Sequence, residues 1–256
     1  MLQRAQVQDE TEAHIATMEL AAQIEPFDSF WEAPEDVESG YTRFDAFYRH
    51  NYLRHVPADR QSRILVISCG AGYFVKTLNE QGYSNVLGID SFESKVAHGR
   101  RHNLDCREAR AFPFLTAHKQ AFDAIICEQE LNHLTKREMR ILLRLVHESL
   151  TPDGTLIVHS LNGANPITGA EALAQNIDHF NTMTEYSLRQ VLEHAQFEQI
   201  QVFPLNLYVF YKNPANYVAW AIAAFLHLVF RAAFILYGKS NKIFTKKFGA
   251  VCRKPA

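Results

Sequence analysis

The stretch that most constrains this chain runs from Arg63 to Asp90: R-I-L-V-I-S-C-G-A-G-Y-F-V-K-T-L-N-E-Q-G-Y-S-N-V-L-G-I-D. Ile64 to Ile67 is wholly apolar and rich in β-branched residues, the pattern of a strand buried on both faces of a parallel sheet. Cys69-Gly70-Ala71-Gly72 follows at once. Tyr73 to Gln81 then predicts a helix ending at Gly82, and Val86 to Ile89 a second strand with Asp90 at its C-terminal end. This is a βαβ unit whose first turn is built of small residues. Such residues let a backbone approach a ligand closely, and an acid after the second strand can accept from both hydroxyls of a ribose. The turn is not a G-x-G-x-x-G, because Ser68, Gly70 and Gly72 hold the spaced positions and Val75 follows. It also lacks the G-K-[ST] of a triphosphate loop. By itself such a turn could serve another nucleotide, or none.

The rest of the chain repeats the alternation. Ser94 to His102 predicts a helix, and Cys106 to Phe114 (C-R-E-A-R-A-F-P-F) a strand end and a turn. Ala124 to Cys127 predicts a strand, Lys136 to Ser149 a helix, Leu150 to Gly154 a turn and Thr155 to His159 a further strand. Asn165 to Asn181 is loop-like with short helical potential, Ser187 to His194 a helix, and Phe197 to Tyr211 an extended strand broken by Pro204. Strands alternating with helices in this way build a doubly wound parallel sheet. Ahead of it, Leu2 to Ile24 has a weak helical pattern, Phe27, Phe30 and Trp31 lead into an acidic segment, and Tyr41 to His55 carries aromatic residues at helical spacing.

The Arg63–Asp90 stretch resembles motif I and the following acidic motif of the class I S-adenosylmethionine-dependent methyltransferases. That family has an acid where Val66 stands and its first glycine where Ser68 stands. Phe122 to Leu134 (F-D-A-I-I-C-E-Q-E-L-N-H-L) resembles the family's fourth strand and turn, and L-x-P-x-G-x-L at Leu150 is another family mark. The resemblance covers Arg63 to Tyr211 and the last few residues. It implies a Rossmann-like α/β fold: seven strands, the last (Phe248 to Arg253) antiparallel, with an N-terminal helical lid and a helical insertion before the last strand. The division it implies is 1–60 for the lid, 61–212 for the core, 213–247 for the insertion and 248–256 for the final strand.

For the cofactor, S-adenosylmethionine, the resemblance implies contacts from Ser68, Cys69, Gly70, Gly72, Asp90, Ser91, Glu108, Ala109, Glu128 and Gln129. Glu108 would accept from the adenine amine and the Ala109 N–H donate to the ring. Tyr41 and Trp31 resemble aromatic residues that cover the cofactor. His133 is the first candidate base, His179 the second and Glu130 the third, since a hydroxyl nucleophile benefits from a base near its proton and imidazole suits neutral pH. The alternative is that either histidine caps a helix or holds a loop.

Asn216 to Gly238 lies outside the minimal fold. It is long, apolar and aromatic, with Lys239, Lys242, Lys246 and Lys247 behind it. Its length approaches the ~20 residues of a membrane span. Arg231 inside the run and the need for the flanking strands to pair favour instead a helix lying in the membrane interface across 217–237. A buried dimer or core helix is the alternative. This insertion, followed by G-K-S-N-K-I-F-T-K-K, is similar to that of methyltransferases from bacterial surface-polysaccharide clusters.

A net charge of −2 over 256 residues argues against nucleic acid as the main partner, since neutralising its backbone needs a basic face. The four cysteines show no metal spacing and read as reduced thiols, and the polar N-terminus has no secretory h-region, so a cytoplasmic location at the inner face of a membrane is expected. Three functions follow: O-methylation of a sugar in a membrane-linked glycan, methylation of a lipid or quinone, or a non-catalytic module binding a partner.

Overall fold

A computed structural model of the chain describes residues 34–128, 130–174, 179–206 and 214–256, with side chains at all of these except 34–36 and 130. The expected helix Leu2–Ile24, Phe27, Phe30, Trp31 and Gln129 lie outside these residues, as do the Glu130 side chain and the end of the expected sixth strand. The helices are α1 (Pro34–Asn51), α2 (Tyr73–Glu80), α3 (Glu93–Arg101), α4 (Ala111–Ala117), α5 (Lys136–Ser149), α6 (Gly169–Ala174), α7 (Glu185–His194) and α8 (Ala215–Leu236). The strands are β1 (Ile64–Ile67), β2 (Val86–Asp90), β3 (Cys106–Glu108), β4 (Phe122–Cys127), β5 (Leu150–Leu161), β6 (Glu198–Leu205) and β7 (Lys247–Arg253).

The strands form one sheet in the order β3-β2-β1-β4-β5-β7-β6. β1 to β5 are parallel and β7 runs antiparallel between β5 and β6. β1 lies near the middle, and all four of its residues are buried, as its unbroken apolar run requires. One core packs Phe112, Leu115, Leu142 and Leu188 of α4, α5 and α7 on one face of the sheet. The other packs Tyr48, Phe74, Leu78 and Val96 of α1, α2 and α3 on the opposite face. The chain turns from one half of the sheet to the other between β1 and β4, and ligands of such sheets bind at the strand C-termini beside that point.

Several boundaries follow from local chemistry. α5 starts at Lys136 because Thr135 and Glu138 form a reciprocal capping box, and Thr184 with Ser187 starts α7 in the same way. Helix α1 begins earlier than the aromatic spacing predicts, at a proline, whose fixed φ suits a first helical position. The expected turn at Ala111 to Phe114 is instead the start of α4, where Pro113 sits in the first turn and removes no helical hydrogen bond. The expected turn Leu150–Gly154 is drawn into β5 as an irregularity. Leu150 still pairs with Phe122 and Thr155 with Ala124, so the residues between them loop out, with Asp153 at φ 59°. Pro204 does not break β6. It pairs opposite Phe248 on the outermost strand, where a missing N–H leaves no ladder partner bare.

Candidate functional site

The turn after β1 is held from across the sheet. Asp90, buried at the end of β2, accepts from the Gly70 N–H through Oδ2 at 3.0 Å and from the Phe92 N–H through Oδ1 at 3.1 Å. Ser68, Gly70 and Gly72 all have left-handed backbones, with φ of 56°, 54° and 83°. At Ser68 the conformation that glycine takes freely is imposed on a side chain. At Gly72 a Cβ would meet Cys106 Sγ at 2.8 Å, whereas one at Gly70 would meet nothing within 4 Å. The Gly70 side of the turn therefore faces open space, bordered by a carboxylate with lone pairs to spare. Ser91 and Glu108 are exposed beside it, Glu108 in register with Asp90. Cys69 points away and is buried. The Ala109 N–H, expected to face an adenine ring, instead donates to the Asp90 carbonyl at 2.9 Å. It extends the β2–β3 ladder, so that expectation is corrected.

Tyr41 is also placed differently from its expected role as a cover. Its hydroxyl donates to the Ala71 carbonyl at 2.6 Å, while Tyr73 donates back to Val37 at 3.0 Å. These reciprocal bonds clamp α1 to the turn. Burial first, and then the neighbouring Tyr73, raises the Tyr41 phenol well above its ordinary range.

Further along, Tyr48 of α1 and Tyr52 just past its end meet a buried polar row, of which sequence reasoning named Glu128 but missed His159 and the two tyrosine partners. Tyr48 stacks on Phe74 at 4.5 Å between ring centroids and donates to Glu128 Oε2 at 3.0 Å. The Tyr52 hydroxyl lies 2.5 Å from His159 Nδ1, both residues buried. Burial pushes the Glu128 carboxyl up to about 7, against the Tyr48 hydrogen bond and Lys247, which pull it down. Burial lowers His159 to about 3, so this imidazole is neutral. Lys247 lies in β7 opposite Leu161 and Leu205, not among lysines trailing the insertion as expected. The signal available in the sequence was alternation. β4 and β5 put Ile126 and Ile157 in the α1-side core, so Glu128 and His159, each two residues on, fall on that face.

Beyond β4 and β5 the two candidate bases come together. The His133 and His179 rings lie 5.0 Å apart at 69°. His133 ends a 3-10 turn (Glu130–His133), and His179 follows the loop after β5. The His179 Nδ1 is 2.8 Å from the Ala172 carbonyl, which can only accept, so Nδ1 carries a proton. Asparagines fix this corner. Asn132 Oδ1 accepts from Ser160 Oγ and the Leu161 N–H, and Asn181 donates to the Leu131 and Leu134 carbonyls. Asn132 Nδ2 and Asn181 Oδ1 stay buried without a partner, capacity that water or a polar ligand ordinarily fills.

α8 extends from the same end of the fold. None of its 22 residues is buried, which excludes a core helix of this chain. Trp220 is 54% and Phe225 65% exposed. By length and composition α8 could cross a membrane. Phe230 and Phe234 pack on buried Phe244, and Asn162 and Asn165 donate to the carbonyls of Ile243, Thr245 and Phe244. The loop after β5 and the end of α8 thus form one corner, with a cleft of about 510 Å³ between Ala164, Tyr186, Phe234 and Lys239.

The donor set fits the cofactor that the resemblance implies. Asp90 suits a ribose, and the open face of Gly70 admits a ligand against the backbone. The chain matches the family described as "Methyltransferase domain" over residues 41–202. It is 29% identical over 125 residues to the ubiquinone biosynthesis O-methyltransferase of Pseudomonas aeruginosa (strain UCBPP-PA14), covering 44% of this chain and 52% of that protein. The chain thus spans about half the length of the curated relatives it matches. Among solved structures it is similar to a SAM-dependent methyltransferase from Archaeoglobus fulgidus, with a TM-score of 0.63, 16% identity, and coverage of 84% of this chain and 94% of that one. It is also similar to Haemonchus contortus phosphoethanolamine N-methyltransferase 2 in complex with S-adenosyl-L-methionine, with a TM-score of 0.54, 14% identity, and coverage of 91% and 61%. At these identities the structures speak for the fold alone.

Proposed function

The chain belongs to the methyltransferase-domain family and is an S-adenosylmethionine-dependent methyltransferase, and from that premise we propose that it methylates a hydroxyl of an acceptor presented at a membrane surface. The observation that carries this reading is the His133–His179 pair at a corner shared with the exposed apolar helix α8. An imidazole pair suits an oxygen nucleophile, whose proton must leave as the new bond forms. The exposed face of α8, bearing Trp220, Phe225 and Leu228, with Lys239 and Lys242 exposed after it, suits a peripheral helix at an anionic lipid surface. A cytoplasmic enzyme working at the inner face of a membrane fits both features.

Two acceptors carry such a hydroxyl: the sugar of a lipid-linked glycan, favoured by the character of the insertion, and a quinone precursor, favoured by the ubiquinone O-methyltransferases among the relatives. Incubating the enzyme and labelled cofactor with each class of membrane extract decides between them.

When bound, S-adenosylmethionine supplies an electrophilic methyl and leaves as a neutral thioether. Asp90 would accept from the ribose hydroxyls, and Gly70 would let the cofactor approach the backbone closely. Ser68, Ser91 and Glu108 line the same rim, and Tyr41 keeps the turn in shape through Ala71. The more exposed His133 would take the proton of the acceptor hydroxyl. His179, its Nδ1–H fixed by Ala172, sets the orientation of the pair. Much of the rate comes from holding the reactants at attack distance. His133→Ala is expected to lower kcat by about 10²–10⁴ while cofactor affinity holds, with a smaller loss in His179→Ala. The reverse order moves the proton to His179, and small losses in both remove the base from the mechanism.

A further inference from the structure

We propose that Glu128 is the carboxylate that receives the α-ammonium of the cofactor's amino-acid end, with Tyr48 holding its side chain in place. The inference rests on S-adenosylmethionine lying across the strand C-termini, and it follows from strand order. With the ribose at Asp90 on β2 and the base beside Glu108 on β3, as the resemblance implies, the amino-acid end would run the other way along the sheet, over β1 toward β4. That end carries a full positive charge and needs a charged or carbonyl acceptor.

Strand β1 offers none in its side chains, since Val66 is buried in the apolar cluster of Phe74 and Ile126. Among the described residues, three carboxylates stand at the ends of the parallel strands. Asp90 is engaged by two backbone N–H groups, and Glu108 is exposed on the outermost strand β3. The third is Glu128. Its N–H donates to the Ile67 carbonyl at 3.2 Å, which sets it level with the first turn. Val66 pairs with Ile126, so Glu128 rises from the same face of the sheet as Val66, one step nearer the ligand edge.

Its surroundings are those of a site awaiting a cation. The carboxyl is densely surrounded by protein, yet the residue keeps accessible surface, as at the bottom of a cleft. It accepts a hydrogen bond from a neutral phenol, and Lys247 acts on it only at a distance. A buried carboxylate without a close ion-pair partner is costly to keep ionised. An incoming ammonium removes that cost. The other titratable groups that face it are Tyr48 of α1 and Tyr52 just past its end, held well above their usual range by burial, Cys69 of the turn, raised by its hydrogen bond to Cys106, and neutral His159 of β5.

The test compares two ligands by calorimetry. S-adenosylhomocysteine keeps the ammonium, whereas 5′-methylthioadenosine lacks the amino-acid end. Glu128→Gln is expected to weaken S-adenosylhomocysteine about 10- to 100-fold and to leave methylthioadenosine within twofold. Glu128→Asp, which keeps the charge, should recover part of the loss. Wild-type affinity for S-adenosylhomocysteine should rise from pH 6 to pH 7.5, as the carboxyl ionises, while that for methylthioadenosine stays flat. Equal losses for both ligands, no loss for either, or a Glu128→Asp no better than Glu128→Gln would overturn the assignment. Wild type binding methylthioadenosine but not S-adenosylhomocysteine also overturns it. Failure of wild type to bind either ligand overturns cofactor use itself.

Discussion

The β1–α2–β2 cradle and helix α8 are both written in the sequence as apolar runs, yet they end in opposite surroundings. Every residue of β1 is buried, and none of α8 is. In the cradle, burial is matched by directed bonds: Asp90 to two backbone N–H groups, Tyr41 to Ala71, Tyr73 to Val37. At α8, among the described residues, the ring contacts with the fold are those of Phe230 and Phe234 on Phe244. An apolar run specifies that water will be left behind; it does not specify for what. The cradle leaves it for the protein's own core. The exposed face of α8 is left uncovered by the described residues.

The sharpest way to break this contrast is Asp90→Ala. It strips the acceptor from the Gly70 and Phe92 N–H groups at once, each bonded to a carboxylate. The expected loss is about 3 kcal/mol of stability, with cofactor affinity down about 10- to 100-fold. Denaturant unfolding and calorimetry read the two effects. Unchanged affinity would remove Asp90 from the ribose.

Phe225→Glu puts a charge on α8 instead. Stability and cofactor binding should stay within about 0.5 kcal/mol of wild type, because the side chain touches little of the fold. Flotation with anionic vesicles should be lost, since a charge on the inserted face opposes burial in lipid. If wild type does not float and light scattering shows a dimer that Phe225→Glu dissociates, the partner is a second copy of the chain and the membrane reading falls.

The smallest effect is expected at Ser68→Gly. Relief of a left-handed serine gives about 1–2 kcal/mol, offset by the greater freedom of glycine in the unfolded chain, about 0.5–1 kcal/mol. A net gain of about 0.5 kcal/mol in a thermal melt is the result to look for. A loss would show that the serine side chain contributes more to the turn than its backbone strain costs.

Much of this fold was legible because its signals are local. β1 at Ile64–Ile67, α5 at Lys136–Ser149 and the acid closing β2 follow from short apolar runs, a capping pair and strand periodicity. The corner uniting His133 with His179 was anticipated from resemblance rather than from spacing, for 45 residues separate them in the chain. Pro204 illustrates a rule correct in general and set aside by position: strand order alone put it on an outer edge where no donor was needed.

What the sequence determined by itself was most of the elements and the cradle, because helix caps, strand alternation and glycine turns depend on neighbours a few residues away. What only the tertiary structure decided was which side chains share a space. Tyr48 meets Glu128 across 80 residues and Tyr52 meets His159 across 107. No local pattern encodes such contacts. They arise because sheet order fixes which strands lie beneath α1, and because the low dielectric there selects polar partners for groups that water no longer reaches.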